Sequence, residues 1–154
     1  MSENPAPRSA IQGPHANSNF LVDLGYGDPN SFSGGFCEVI FPEFRIETPK
    51  AAAEPTLDGR DNDGRSQFLI LRRGATGMLD LYDWWNKARK GRAPKARTVK
   101  VVLLAQDHST VVCTWYFRQA RPVSLSYSHL NAMQGSALIE SIELAFESME
   151  MRQA

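Results

Sequence analysis

Cysteine is scarce, histidine is scattered, net charge is absent and no long apolar run interrupts the 154 residues. Each absence excludes something. Two cysteines, Cys37 and Cys113, cannot build the dense disulfide framework of a small secreted domain. Both sit in apolar runs, so each is expected as a buried free thiol. Lys plus Arg and Asp plus Glu balance at 17 each, leaving no whole-molecule field to attract nucleic acid or acidic lipid. A local patch can still act. No stretch reaches the ~18 apolar residues of a membrane-spanning helix. Met1 to Asn19 carries three prolines and lacks the ~7–15-residue apolar stretch of a secretory signal. These features lead to an expected cytoplasmic site of synthesis and assembly.

Catalytic signatures are missing as well. The sequence holds no G-x-S-x-G, no H-E-x-x-H, no phosphate-binding G-x-x-x-x-G-K-[ST] and no dinucleotide fingerprint. His15, His108 and His129 do not pair with Cys or with each other at metal-ligand spacing. Asp58-Gly59-Arg60-Asp61-Asn62-Asp63-Gly64 has the outline of a calcium loop. However, Gly59 and Ile70 stand where that loop needs an oxygen ligand and a Glu, and Arg60 and Arg65 oppose a cation. Gly74-Ala75-Thr76-Gly77 lacks the Lys of a phosphate site and reads as a tight strand-to-helix turn. No enzyme, cofactor or metal is expected.

What is present is a β-rich pattern with one firm helix. Residues 1–17 read as a tail. Phe20, Val22 and Leu24 alternate, and Gly35 to Phe41 is a second strand that Pro42 should end. Phe44, Ile46 and Thr48 can continue it after a bend. Gln67 to Leu71 is a strand. Thr76 to Lys90 then shows Met78, Leu81, Tyr82, Trp85 and Ala88 at helical spacing, with Thr76 as cap and Gly91 as stop. Val99 to Ala105 and Val111 to Phe117 form a hairpin, and Arg121 to Tyr127 another strand. The last element, Ala137 to Met151, fits a strand through Ile142, Leu144 and Phe146. It fits a helix equally through Leu138, Ile142, Ala145 and Met149.

Two segments are candidates for interaction. Residues 49–66 have no apolar period and hold five charges from Asp58 to Arg65. Connections longer than ~12–15 residues are commonly functional. The second candidate is the basic run Lys87, Arg89, Lys90, Arg92, Lys95, Arg97 and Lys100, just after Trp84 and Trp85. Cations beside aromatics suit nucleic acid, and a salt-dependent loss on neutralising Lys90, Arg92 and Lys95 would identify such a module. The plainer reading is a solvated helix end whose cations suit the dipole.

Several segments, in order, resemble the tail tube proteins of contractile phages and the inner tube proteins of extracellular contractile injection systems. They are Phe20-Leu21-Val22-Asp23, Gly34-Gly35-Phe36-Cys37-Glu38-Val39, Leu69-Ile70-Leu71-Arg72-Arg73-Gly74 and Leu79-Asp80-Leu81-Tyr82-Asp83-Trp84-Trp85. They continue with Trp115 to Val123, Leu130-Asn131-Ala132 and Ile139 to Glu147. Ile40-Phe41-Pro42 departs from the family's usual Ser-Gly-Leu, and the loop from Pro49 to Ser66 is unusually charged.

The resemblance makes the last element a strand. It implies a small antiparallel β-barrel or sandwich with one flanking α-helix, as a single domain over residues 18–151 with residues 152–154 as a short tail. It further implies hexameric rings stacked into a hollow tube. Expected partners are other copies of the chain, a sheath protein, a baseplate and spike, tube-terminating proteins, and DNA or protein cargo in the lumen. The final location would be a virion tail or a released particle. Arg60, Asp61, Asp63 and Arg65 are expected at the ring-to-ring contact, because a stacking filament needs a second, head-to-tail surface.

Overall fold

The computed structural model describes residues 18–25, 35–46, 67–91 and 97–154. Among them, seven strands and one helix follow in chain order: β1 (Phe20–Asp23), β2 (Phe36–Ile40), β3 (Leu69–Gly74), α1 (Asp80–Arg89), β4 (Arg97–Leu104), β5 (Val111–Tyr127), β6 (Ile139–Ala145) and β7 (Ser148–Gln153). All pairings are antiparallel, in the order β1-β4-β5-β6-β3-β2, with β7 also on β5.

β5 organises the molecule. Its first half lies between β4 and β7, and its second half pairs with β6. Pairing with β4 ends at Ala120 and pairing with β6 begins at Arg121, so the chain passes from one half-sheet to the other at this point. Gln119 takes φ +56° there, the left-handed region that L-residues with side chains seldom occupy. Across from it, the Glu147 N–H donates to the Arg118 carbonyl at 3.0 Å, carrying the bend into the β6–β7 connection. The strand expected from Arg121 to Tyr127 is thus the continuation of the one beginning at Val111. Strand pairing also settles the last element against the helical count. β7 runs on through Arg152 and Gln153, residues that the sequence reading assigns to a tail.

The two half-sheets turn their apolar faces on one core. Val22, Val99, Val101 and Phe117 come from one, and Leu69, Leu71, Ile142 and Leu144 from the other. α1 adds Leu81 and Trp84. The helix begins at Asp80, later than the Thr76 cap predicts, and has no side-chain cap. Gly77 (φ +84°) turns the chain first, and Gly91 (φ +70°) ends the helix as expected. The buried stripe is rotated from the predicted one: Met78 and Tyr82 are exposed while Trp84 is buried. Two contacts fix that rotation. Arg73 holds Asp80 at the helix start, and the Arg97 guanidinium lies 4.5 Å from the Trp84 ring centroid.

The structure is a sandwich-like arrangement whose sheet does not close into a barrel. β1, β2, β7 and the second half of β5 each keep one edge without a strand partner among the described residues.

Candidate assembly surfaces

A buried polar network sets the relative positions of α1, β3, β5 and β6. Arg73 stands opposite Glu140 in the β3–β6 register. Its Nε donates to Glu140 Oε1 at 2.8 Å, its guanidinium grips the Asp80 carboxylate, and the Phe36 ring covers its other side. The Tyr127 hydroxyl donates to Glu140 Oε2 at 2.8 Å. Burial of Arg73 by itself disfavours its charge, but the hydrogen bonds to Asp80 and Glu140 outweigh this and raise its pKa. Tyr127 is pushed up to about 12, first by burial and then by the Glu140 carboxylate. Each group is matched to a partner, so the arrangement is a structural clamp and not a reactive site.

The open edges are the next feature. An unpaired strand edge presents a row of backbone donors and acceptors that another chain can complete. β7 is such an edge, and its inward-facing Met151 is exposed. Beside it, the segment after β2 crosses over the core. Pro42 ends the pairing, as expected, and residues 41–46 do not continue as a strand. Instead Phe41 packs against Trp115 in a tilted pair (centroids 4.9 Å apart), and Phe44 lies against the Phe117–Phe146 pair (6.3 and 6.5 Å). Glu43 and Arg45 pair with each other on this segment at 2.8 Å.

The described residues of the basic run do not form one surface. Arg89 lies over Trp85 and binds Asn86, Arg97 covers the buried Trp84, and Lys100 reaches the opposite side of β4 to lie over Tyr116. Arg92 and Lys95 lie outside the described residues, as do Arg60, Asp61, Asp63 and Arg65 of the charged loop. Arg118 and Arg152 join Lys100 around Tyr116, with Glu150 bridging the two arginines. Those hydrogen bonds from Arg152 and Arg118 hold the Glu150 carboxyl down at about 2. Cys113 is buried, as expected. Cys37 is not: it is exposed on β2, with its Sγ donating to the Arg72 carbonyl of β3 at 3.4 Å. Among the described residues no group of His, Cys, Asp and Glu could hold a metal ion, and no helix is long and apolar enough to cross a membrane.

The site is therefore a set of edges and patches suited to joining chains. The family model for the T4-like virus tail tube protein gp19 matches residues 17–150. The chain belongs to this tail tube family. Its role is accordingly structural, a component of the tube of a contractile tail or injection particle. No curated protein matches the chain by sequence. Solved structures share the tail tube fold. A chain of the PVC sheath-tube complex in its extended state, from an extracellular contractile injection system, superposes with a TM-score of 0.70. The two are 18% identical over 99% of this chain and 100% of that one. The anti-feeding prophage tube terminating cap gives 0.67 at 19% identity, covering 94% and 95%. A chain of the anti-feeding prophage baseplate gives 0.63 at 22%, covering 92% and 97%.

The sequence reading found the tube family and missed the surfaces. Phe41, Phe44 and Met151 were each visible as apolar residues near strand ends. Nothing local marked Phe41 and Met151 as meeting at Trp115, or Phe44 as meeting Phe117 and Phe146.

Proposed function

We propose that this chain, as one domain from residue 18 onward, forms head-to-tail rings of six that stack into a hollow inner tube. The conduit carries DNA or protein cargo inside a contractile sheath. It starts at a baseplate with its spike and ends at a terminating protein, with assembly in the bacterial cytoplasm. The wall performs no chemistry: it is a rigid pipe driven forward when the sheath shortens.

The observation that supports this reading best is the set of edges left unpaired among the described residues in a member of the tail tube family. Open edges are a liability in a monomer, and closing them around a ring removes it. Similarity to a sheath-tube complex, a tube cap and a baseplate chain supports the choice of partners. The charged loop is assigned to the contact between successive rings, through Arg60, Asp61, Asp63 and Arg65.

Negative-stain electron microscopy across a concentration series tests the tube. Rings with a central hole, or stacks of them, are expected. Uniform small particles at every concentration would count against self-assembly. Replacing the four loop charges by Ala should leave single rings and remove stacks, and unchanged stacks would take those residues out of the contact.

A further inference from the structure

The core-facing side of the β1-β4-β5-β7 half-sheet carries one cross-strand row that runs through Val22, Val101, Trp115 and Met151. Exposure along this row is 2% at Val22 and 2% at Val101, intermediate at Trp115, and 57% at Met151. The second half-sheet covers one end of the row and stops short of the other. The aromatic crossover does not complete the cover. Phe41 and Phe44 reach Trp115 and Phe117 yet remain partly exposed, and Ile46 is 94% exposed.

An apolar surface that stays core-like in composition but lacks its cover marks an interaction site more often than chance exposure does. Here it adjoins the open backbone edge of β7, so a partner can gain strand hydrogen bonds and apolar burial in one contact. A strand with an apolar side chain satisfies both requirements. This chain owns such strands, with edges on β1, on β2 and on the second half of β5 that have no strand partner among the described residues. An edge unlike β7 makes a head-to-tail contact, which repeats around a ring, whereas β7 against β7 would stop at a dimer.

We infer that the corner formed by Phe41, Phe44, Trp115 and Met151 beside β7, together with Ile46 two residues along the chain from Phe44, is the seat of a second copy of this chain within the ring. The inference rests on the tube reading and adds the surface through which neighbours join. A single cation placed there would be buried without a partner on assembly, while the free subunit would keep it in water.

The test uses the full chain with Met151→Lys and, separately, Ile46→Lys. Sedimentation velocity and microscopy read the assembly, and urea unfolding checks the isolated subunit. The expected result is an unchanged unfolding midpoint with the concentration needed for rings raised about tenfold or more. Hydrogen exchange at Ser148–Gln153 should slow when the unsubstituted protein assembles. Rings from both variants at the original concentration, or unchanged exchange at β7, would overturn the corner while leaving the tube intact. A lowered unfolding midpoint without loss of assembly would also overturn it, by giving the corner to the same chain. Unsubstituted protein that stays monomeric throughout would overturn the tube reading and this inference together.

Discussion

Arg73 on β3 and Glu140 on β6 face each other across the strand pair and form an ion pair, Nε to Oε1 at 2.8 Å, with side chains 3% and 5% exposed. Asp80 at the start of α1 is a second carboxylate held by the same guanidinium. The clamp joins the helix to the sheet, and so fixes which face of α1 the core receives.

Removing the cation should be costly. Arg73→Met leaves Glu140 and Asp80 without their counter-charge, and breaking a buried pair from one side costs about 3–5 kcal/mol. Urea unfolding of the isolated subunit should show a matching fall. Tyr127→Phe, which removes one donor to Glu140, should cost less, about 1–2 kcal/mol. An equal loss in the two variants would contradict the central place of Arg73.

The corner in β5 should tolerate glycine and reject branched side chains. Gln119 holds φ +56°, which costs an L-residue with a Cβ roughly 1–2 kcal/mol. Gln119→Val is expected to destabilise by about 1–2 kcal/mol, because a β-branched residue is least at ease there. Gln119→Gly should be neutral or mildly stabilising, since relief of strain offsets the added freedom of the unfolded chain. Denaturation midpoints check the order.

Gly25 ends β1 at φ +76°, and a Cβ there would stand 2.6 Å from the Thr98 carbonyl oxygen. The Gly25 N–H also donates to Asp23 Oδ1 at 2.8 Å, closing the turn. Gly25→Ala should therefore cost on the order of 2 kcal/mol and loosen β1 from β4. Faster amide exchange at Leu21 to Asp23 would report it. Unchanged exchange would show that the turn can shift freely.

Acid should release Glu150. Its folded pKa is held at about 2 by Arg152 and Arg118, below its ordinary 4.5. A depressed carboxyl contributes stability that is fully present above the ordinary value and is lost as pH falls through the folded one. The interaction should therefore weaken between about pH 4.5 and 2. Asp107, also held at about 2 by Thr110 and Ser109 in the β4–β5 turn, should behave alike. Carbon-13 NMR titration of the carboxyls checks both, and Glu150→Gln should abolish its own share of the acid response. Protonation of Glu150 near 4.5 would remove the bridge from solution.

Much of the fold was legible because its signals are local. Val22, Val99, Val101, Ile142 and Leu144 sit in alternating patterns, and alternation puts one face of a strand in the core whatever its neighbours are. Gly91 and Pro42 stop their elements through local backbone geometry: glycine, with no Cβ, can take the left-handed conformation, and the proline ring removes a backbone donor. The helix was legible in position but not in rotation. Tyr82 and Trp84 are both apolar enough to be buried, and the choice fell to Arg73 and Arg97, which come from different strands.

By itself the sequence determined the β-rich class, the single helix, the absence of catalytic and metal-binding motifs, and membership of a tube family through ordered segments along the chain. Tertiary structure alone decided that β5 is one strand shared by two half-sheets, that Arg73 meets Glu140, and that Phe41 and Met151 flank Trp115. The reason is physical. Periodicity and turn chemistry act over a few residues, whereas coverage of a face depends on which distant strand lies above it. The row from Val22 to Met151 is uniformly apolar along the sheet, and only the packed molecule distinguishes its covered end from its open one.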